Sequence, residues 1–311
     1  MTHSVFIDGA AGTTGLEIRE RLEGRSEFSL ILLDDAQRKD AGARRRAIND
    51  ADVVILCLPD DAAREAVSLI DNARTKVIDA STAHRVADGW TYGFPELTGH
   101  EAVAQSTRIS NPGCYPTGFL ALVAPLVKAG LVPATTGLSI NAVSGYSGGG
   151  KAMIAEFEGD AGRPAAWRTY GLALGHKHVP EMTKHAGLAV APIFAPSVAD
   201  TVRGMIVEVP LHLAGLPAGP SPDDVRQALK NAYSDAKVVR FVDGYDAATM
   251  SIERCAGTDG MDLFVFASAD GSQVRLVAAL DNLGKGASGA AVQNLNLICG
   301  LDEAAGLILT N

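Results

Sequence analysis

Apolar residues in the first third of the chain fall in short runs, separated by segments of helical spacing. Val5-Phe6-Ile7 runs up to Gly9, and Leu16, Ile18 and Leu22 then recur at helical intervals. Phe28 to Leu33 reads as a second strand ending at Asp34-Asp35. Val53 to Leu58 reads as a third, stopped by Pro59, with Asp60 placed to cap the helix that follows. Val77-Ile78 begins a fourth near Asp79, and Arg108-Ile109-Ser110 a fifth, followed at once by Asn111-Pro112-Gly113. Continuous apolar strands alternating with helices predict βαβ units and a parallel sheet buried on both faces.

The pattern changes in the middle of the chain. Leu138 to Val143, Met205 to Leu213 (with Pro210 inside it), Val238 to Val242, Leu263 to Ala267 and Gln273 to Ala279 have strand composition. Helical spacing is confined mainly to Pro222–Tyr233, and the Pro/Gly-rich stretch Leu216 to Pro222 reads as a loop. Strands with few helices between them predict an antiparallel or mixed sheet, hence an α+β domain. Ser288 to Leu301 is apolar with helical spacing. The fold class is therefore α/β: a Rossmann-like parallel-sheet domain plus an α+β domain. A length of 311 residues agrees with two domains.

Composition narrows the function. With 27 Lys and Arg against 36 Asp and Glu, the net charge is −9, which argues against a nucleic-acid or membrane-surface partner. The longest apolar stretch, Gly118 to Val127, contains Pro125 and stops at Lys128, too short to span a bilayer. No signal peptide is evident in the first residues. Four cysteines lie far apart without a CxxC pair, so a disulfide framework and a structural zinc site are not expected, and a reducing, cytoplasmic setting is.

Four segments carry candidate chemistry. The first is Gly9-Ala10-Ala11-Gly12-Thr13-Thr14-Gly15, after a strand and opening a helix. Glycines there allow a sharp turn and close backbone approach to a pyrophosphate held on free helix N–H groups. The spacing is GxxGxxG, and a simple tight turn is the competing reading. Asp34 could hold the ribose of NAD, whereas Arg38 and Lys39 could hold the extra phosphate of NADP; a solvated charge cluster is the plain alternative.

The second segment is Asn111-Pro112-Gly113-Cys114-Tyr115-Pro116-Thr117-Gly118. Cys114 stands where a strand gives way to an apolar helix, and the positive end of that helix favours a thiolate. Cys114 is thus the candidate nucleophile. Cys57 and Cys299 read as small buried hydrophobes, and Cys255 has no evident place.

The third is Gly175-His176-Lys177-His178-Val179-Pro180-Glu181. On an extended segment both histidines face one side. HxH with a carboxylate could ligate zinc, but no third or fourth ligand follows, so no metal is expected. A general acid/base role is favoured for His176 over His178, with Glu181 orienting a histidine or binding a substrate amide. The fourth, Gly145 to Lys151, fits GxxxxGK after a strand, but Ala152 stands where the Mg²⁺-binding hydroxyl should be. A P-loop nucleotide hydrolase is therefore a minor alternative to a glycine loop with Ser144 or Ser147 near an anionic group. A non-catalytic nucleotide-binding regulator is the other.

Together the segments resemble the semialdehyde dehydrogenase family and, within it, the shorter N-acetyl-γ-glutamyl-phosphate reductases of arginine biosynthesis. The resemblance rests on Gly9–Gly15, Ser81 to Arg85, Asn111 to Thr117, His176 to Glu181 and Asp281 to Ala287, in the family's order over nearly the whole chain. It implies an NADP-binding Rossmann domain over 1–117, an α+β substrate and oligomerisation domain over 118–284, and a C-terminal helix over 285–311 that returns to the first domain. It also implies a homo-oligomer, a dimer or tetramer. The implied reaction is NADPH-dependent reduction of N-acetylglutamyl 5-phosphate to the semialdehyde with release of phosphate, through a Cys114 thioester. N-acetylaminoadipyl or aspartyl phosphate is the alternative small-molecule substrate, since one methylene is worth only about 1–3 kcal/mol of discrimination. Cofactor contacts are implied for Gly9, Gly12, Thr13, Thr14, Gly15, Arg38 and Lys39, and for Ser81, Asn111, Pro112, Asn282 and Gly286. Substrate contacts are implied for Arg85, Ser144, Tyr170, His178 and Glu181, with Arg85 suited to clamp a carboxylate or phosphate.

Overall fold

The computed structural model describes residues 2–34, 36–160 and 162–309. The chain forms two units, Met1–Pro112 with Ala287–Leu307, and Gly113–Gly286 with Ile308–Asn311.

In the first unit, β1 (His3–Asp8), β2 (Phe28–Ile31), β3 (Val53–Leu56), β4 (Lys76–Asp79), β5 (Thr91–Tyr92) and β6 (Arg108–Ser110) form one sheet. Its order is β2-β1-β3-β4-β6-β5, and every pairing is parallel. The helices are α1 (Thr13–Leu22), α2 (Ala41–Asp50), α3 (Asp60–Ser68), the short α4 (Pro95–Thr98) and α5 (His100–Ala104), and the last helix of the chain, Gly289–Ile298. The period of two splits each strand between two cores. Val5, Ile7, Val53 and Ile55 pack with Ile18 and Leu22 of α1 and with Val292 and Leu295 of the last helix. Phe6, Val54 and Leu56 pack with Ala47 and Ile48 of α2 and Ala63 and Ala66 of α3. That double burial is why these strands read as unbroken apolar runs. The order reverses at β1, which has β2 on one side and β3 on the other, so a ligand crevice belongs at the carboxyl ends of these strands.

In the second unit, α6 (Cys114–Lys128) is followed by β7 (Ser139–Gly145), α7 (Gly150–Glu158), β8 (Trp167–Thr169), α8 (Val179–His185), β9 (Ile193–Ala199), β10 (Met205–His212), α9 (Pro222–Ala232), β11 (Val239–Phe241), β12 (Met261–Ala267) and β13 (Gln273–Leu280); the last helix is α10. The seven strands form one mixed sheet in the order β11-β12-β13-β10-β7-β9-β8. Helix α6 covers one face. It comes so close that a side-chain carbon on Gly118 would stand 2.7 Å from Val207 Cγ2 and 3.4 Å from Leu280 Cδ2. Pro210 is tolerated because it pairs only with Arg275 of β13, while the ladder from β10 to β7 ends at Glu208.

The α/β class and the two kinds of sheet agree with the sequence reading; several local expectations do not. Phe28–Leu33 and Val53–Leu58 are strands only to Ile31 and Leu56. Asp60 does not cap α3: Pro59 holds the cap position, and the Asp60 carboxylate instead accepts from the Thr82 N–H (2.9 Å) and hydroxyl. The edge strand β8, its neighbour β9 and the helices α7 and α8 escape the hydrophobic pattern because half-exposed or Gly/Pro-bearing segments carry little of it.

Gly118→Ala tests the close approach of α6. Alanine is the better helix former, but the added carbon enters a filled core, so a net loss of about 1–3 kcal/mol is expected in denaturant unfolding.

Candidate active site

In the first unit, a cleft of about 510 Å³ opens at the carboxyl ends of β1 and β2. Asp8, Gly9, Ala10, Ala11, Leu16, Asp34 and Arg38 are among its walls. Gly9 has φ of +92°, and a side-chain carbon there would lie 2.3 Å from the Cys57 carbonyl oxygen. On Gly15 it would lie 2.4 Å from the Gly9 carbonyl oxygen. Gly12 is less constrained, with 3.3 Å to the same atom. Gly12 caps α1 with its backbone alone, so Thr13, Thr14 and Gly15 present first-turn N–H groups. A turn that only glycine can make, ahead of a helix and beside an open cleft, fits a dinucleotide pyrophosphate.

One oxygen of the exposed Asp34 carboxylate, Oδ1, accepts from the Gln37 N–H (2.8 Å), and Gln37 Oε1 accepts from the Asp34 N–H (3.1 Å). Asp34 caps the turn that carries Arg38. The Lys39 side chain and Asp35 lie outside the described residues. Asp8 pairs with Arg44 at 2.7 Å, and burial still raises its carboxyl above the usual range.

The carboxyl ends of β4 and β6 hold a polar network. Asp79, fully buried, accepts from the Ser81 N–H (2.9 Å) and hydroxyl (2.8 Å) and meets His84 Nδ1 at 2.6 Å; His84 stacks on Trp90. Arg85 is not an exposed clamp. It is buried, with Nε donating to the Asn111 carbonyl (2.9 Å) and Nη2 to that of Ala80 (3.1 Å). Asn111 Nδ2 donates to the Ala287 carbonyl (2.9 Å), and Asn294 Nδ2 donates to Asn111 Oδ1 (3.1 Å). Asn111, which leads through Pro112 into the second unit, is thereby fixed on three sides.

In the second unit Cys114 is the first residue of α6, after the Gly113 cap. The turn is held from three directions. Thr117 bonds back to the Gly113 carbonyl by its hydroxyl (2.9 Å). Glu181 Oε1 accepts from the Gly113 N–H at 2.8 Å. A side-chain carbon on Gly286 would stand 2.9 Å from Cys114 Cβ, so only glycine lets the 284–288 turn lie against the cysteine. Burial pushes the thiols of Cys57 and Cys255 up to about 12 and that of Cys299 to about 11. Cys57, Cys114 and Cys299 are all half-buried by surface exposure; Cys114 differs in standing at the first turn of a helix.

An aromatic group surrounds it. The Tyr170 hydroxyl donates to that of Tyr115 (3.0 Å), which donates to the Ser197 carbonyl (2.9 Å). Burial, against the lowering effect of the hydrogen bond to Tyr115, pushes the Tyr170 phenol up to about 12, with the charge of Cys114 adding to the rise. The His176 ring lies 4.7 Å from that of His178 and 5.0 Å from that of Phe194. The two histidines are not on an extended segment. They sit in a turn that enters α8, where the His178 N–H donates to His176 Nδ1 (3.2 Å) and His178 holds the cap position. That bond leaves the proton of neutral His176 on Nε2. Burial, then Lys177, lowers the His176 pKa.

The GxxxxGK segment is not a phosphate loop. The N–H groups of Gly145, Tyr146 and Ser147 donate to the carbonyls of Gly204, Thr201 and Val202, so they cannot cradle phosphates. Ser144 and Ser147 are buried. Asn282 is spent on this packing: its Nδ2 donates to Ser147 Oγ (2.8 Å), and its Oδ1 accepts from the Gly204 N–H (3.0 Å). Among the described residues no group of three or more His, Cys, Asp or Glu side chains is arranged to hold a metal ion.

Comparison with known proteins agrees with this arrangement. Residues 114–282 match the semialdehyde dehydrogenase dimerisation domain, and residues 35–106 match the semialdehyde dehydrogenase NAD binding domain. The N-acetyl-gamma-glutamyl-phosphate reductase of Trichormus variabilis is 48% identical over 97% of this chain and 98% of its own. N-acetyl-gamma-glutamyl-phosphate reductase 2 of Pseudomonas putida is 50% identical over 98% and 99%. The chain belongs to the N-acetyl-γ-glutamyl-phosphate reductase family of semialdehyde dehydrogenases. Among solved structures, aspartate semialdehyde dehydrogenase II from Vibrio cholerae shares the fold, with a TM-score of 0.71 at 19% identity over 96% of this chain and 98% of that one.

The sequence assigns no role to Tyr115 or Gly113, though both stand in the cysteine segment, and does not single out Phe194. Tyr115 adjoins the nucleophile but carries no spacing signal. Phe194 lies on β9, which the hydrophobic pattern does not reveal.

Two outcomes test the site's geometry. Gly286→Ala should slow iodoacetamide alkylation of Cys114 several-fold while the far-ultraviolet circular dichroism stays unchanged. Because the folded state depresses the His176 pKa, its contribution to stability is present above the ordinary histidine range and is lost as pH falls through it. His176→Asn should flatten that part of the melting-temperature profile, read by calorimetry between pH 5 and 8 on the scale of an ordinary histidine, about 6.5.

Proposed function

We propose that this chain reduces N-acetyl-γ-glutamyl phosphate to N-acetylglutamate semialdehyde with NADPH, releasing phosphate. The observation that carries the reading is Cys114 at the open end of α6, held by Gly113, Thr117 and Gly286, in a unit where His176 packs on Tyr170, the phenol on which the Cys114 charge acts. The near full-length likeness to reductases of that name supports the substrate.

The Cys114 thiolate attacks the acyl carbonyl, phosphate leaves, and a thioester remains on the sulfur. The chemistry a bound NADPH supplies is a hydride for that carbonyl. His176 handles the proton at the thiohemiacetal oxygen through Nε2, and collapse of that adduct returns the thiolate. Tyr170 and His178 line the substrate side. The cofactor lies in the cleft at Gly9–Gly15, and Arg38 in the wall of that cleft favours NADP. Ser81 and Asn111 close the carboxyl edge of the same sheet. In this reading Arg85 acts by holding Asn111.

The dimerisation-domain match supports a homo-oligomer, a dimer or tetramer. Four free cysteines support a reducing, cytoplasmic setting. No helix among the described residues is long and apolar enough to cross a membrane.

The assay is phosphate-dependent NADP⁺ reduction with N-acetylglutamate semialdehyde, set against the aminoadipate and aspartate semialdehydes. Cys114→Ser should abolish turnover and leave NADP⁺ affinity within a factor of two; full activity would overturn the covalent route. His176→Asn should lower kcat by about 10²–10⁴-fold. A larger loss in His178→Asn would reassign the proton.

A further inference from the structure

Glu181 is buried to 1% exposure, and its Oε1 takes the Gly113 N–H at 2.8 Å. That amide is the cap position of α6, one residue before the nucleophile. No acidic residue stands in the first turn of α6 itself; the carboxylate is delivered from α8. A carboxylate at a helix N-terminus accepts free N–H groups and sits at the positive end of the dipole. The same positive end is what favours a thiolate at Cys114. Two negative groups therefore share one helix end.

We infer that Glu181 is a positioning residue for Cys114: it fixes the Gly113 amide so that α6 presents the sulfur in one direction, and its charge holds the thiolate population down until substrate arrives. The inference deepens the reductase reading and rests on it for the meaning of Cys114. The charge of Cys114 acts on Tyr115 and Tyr170; the Tyr115 ring lies 6.0 Å from that of His178 and the Tyr170 ring 6.0 Å from that of His176, Glu181 of α8 reaches Gly113, and buried Lys285 precedes Gly286. Of these, Glu181 alone is an acid bonded to the backbone of the nucleophile turn.

The charge and the hydrogen bond are separable. Glu181→Gln keeps an oxygen acceptor and removes the charge. Glu181→Asp keeps the charge and withdraws it from Gly113. Alkylation of Cys114 by iodoacetamide is followed against pH in the full-length chain, with Cys114→Ser as the blank. Glu181→Gln should move the midpoint down by about one pH unit, the usual scale for losing a like charge nearby. A midpoint that stays in place or rises overturns the inference, even if the melting temperature falls. Should that variant fail to fold, Glu181→Asp decides: the midpoint should stay within about 0.3 of a unit of the parent, small on that same scale, while the plateau rate and kcat both fall several-fold. Parental values for both overturn it. A rise in KM alone, with kcat and the alkylation profile unmoved, would make Glu181 a substrate ligand instead and overturn it as well. Alkylation needs neither substrate nor cofactor, so absence of turnover with the semialdehyde would defeat the reductase reading and leave this result standing.

Discussion

The absence of a side chain at Gly118 sets the height of α6 above its sheet, and the position of Cys114 follows from it. With a carbon there, Val207 and Leu280 would push the helix away. A helix seated that closely has little freedom to translate or tilt, since buried side chains interdigitate at crystal-like density. Its first turn is then tied by Thr117 and Glu181 and overlain by the 284–288 turn, which Gly286 brings against the cysteine. Nothing in the fold of the nucleophile turn needs an unusual backbone: Gly113 is extended. Precision comes from neighbours that omit atoms rather than from strain.

The first unit handles polar groups in a complementary way. Its strands end in residues that would be costly to bury alone, and each is paid for by a local partner. Asp79 is satisfied by Ser81 and His84, and the carbonyls of Ala80 and Asn111 by Arg85. Along the carboxyl edge the first turn of α1 has no side-chain cap and begins beside the cleft. A parallel sheet with its side-chain polarity consumed internally offers an anionic ligand mainly backbone N–H groups, which is the chemistry a pyrophosphate uses.

Much of this was legible in the sequence because double burial writes strongly. The runs at Val5, Val53, Val77 and Arg108 announce a parallel sheet because Phe6 and Val54 face one core while Val5 and Val53 face the other. Motif glycines were legible for the same reason, since Gly9 and Gly15 are places where another backbone atom already stands. Edge strand β8 was not, because a strand paired on one side with Trp167 exposed follows no burial period. Arg85 reaches the carbonyls of Asn111 and Ala80, contacts that no sequence motif distinguishes from those to a ligand. The GxxxxGK letters misled in the same manner: a phosphate loop depends on where N–H groups point, and here they point at residues 201–204.

The two histidines show how little local geometry separates a proton carrier from its support. In an extended segment they would be equivalent, and the choice between them would be arbitrary. The turn into α8 breaks that symmetry. His178 takes the cap position and is buried to 7% exposure, whereas His176 is less enclosed and has its Nδ1 occupied by the His178 N–H. Occupying Nδ1 fixes the tautomer, and a fixed tautomer is what a ring needs to offer one nitrogen repeatedly to the same oxygen. Burial, then Lys177, keeps that ring neutral to lower pH than a free histidine, so it presents Nε2–H as a donor. The peptide N–H of one histidine therefore fixes the tautomer of the other in the sense opposite to a Ser-His-Asp carboxylate: it donates to Nδ1 and leaves Nε2–H as the outward donor, at the expense of no buried charge.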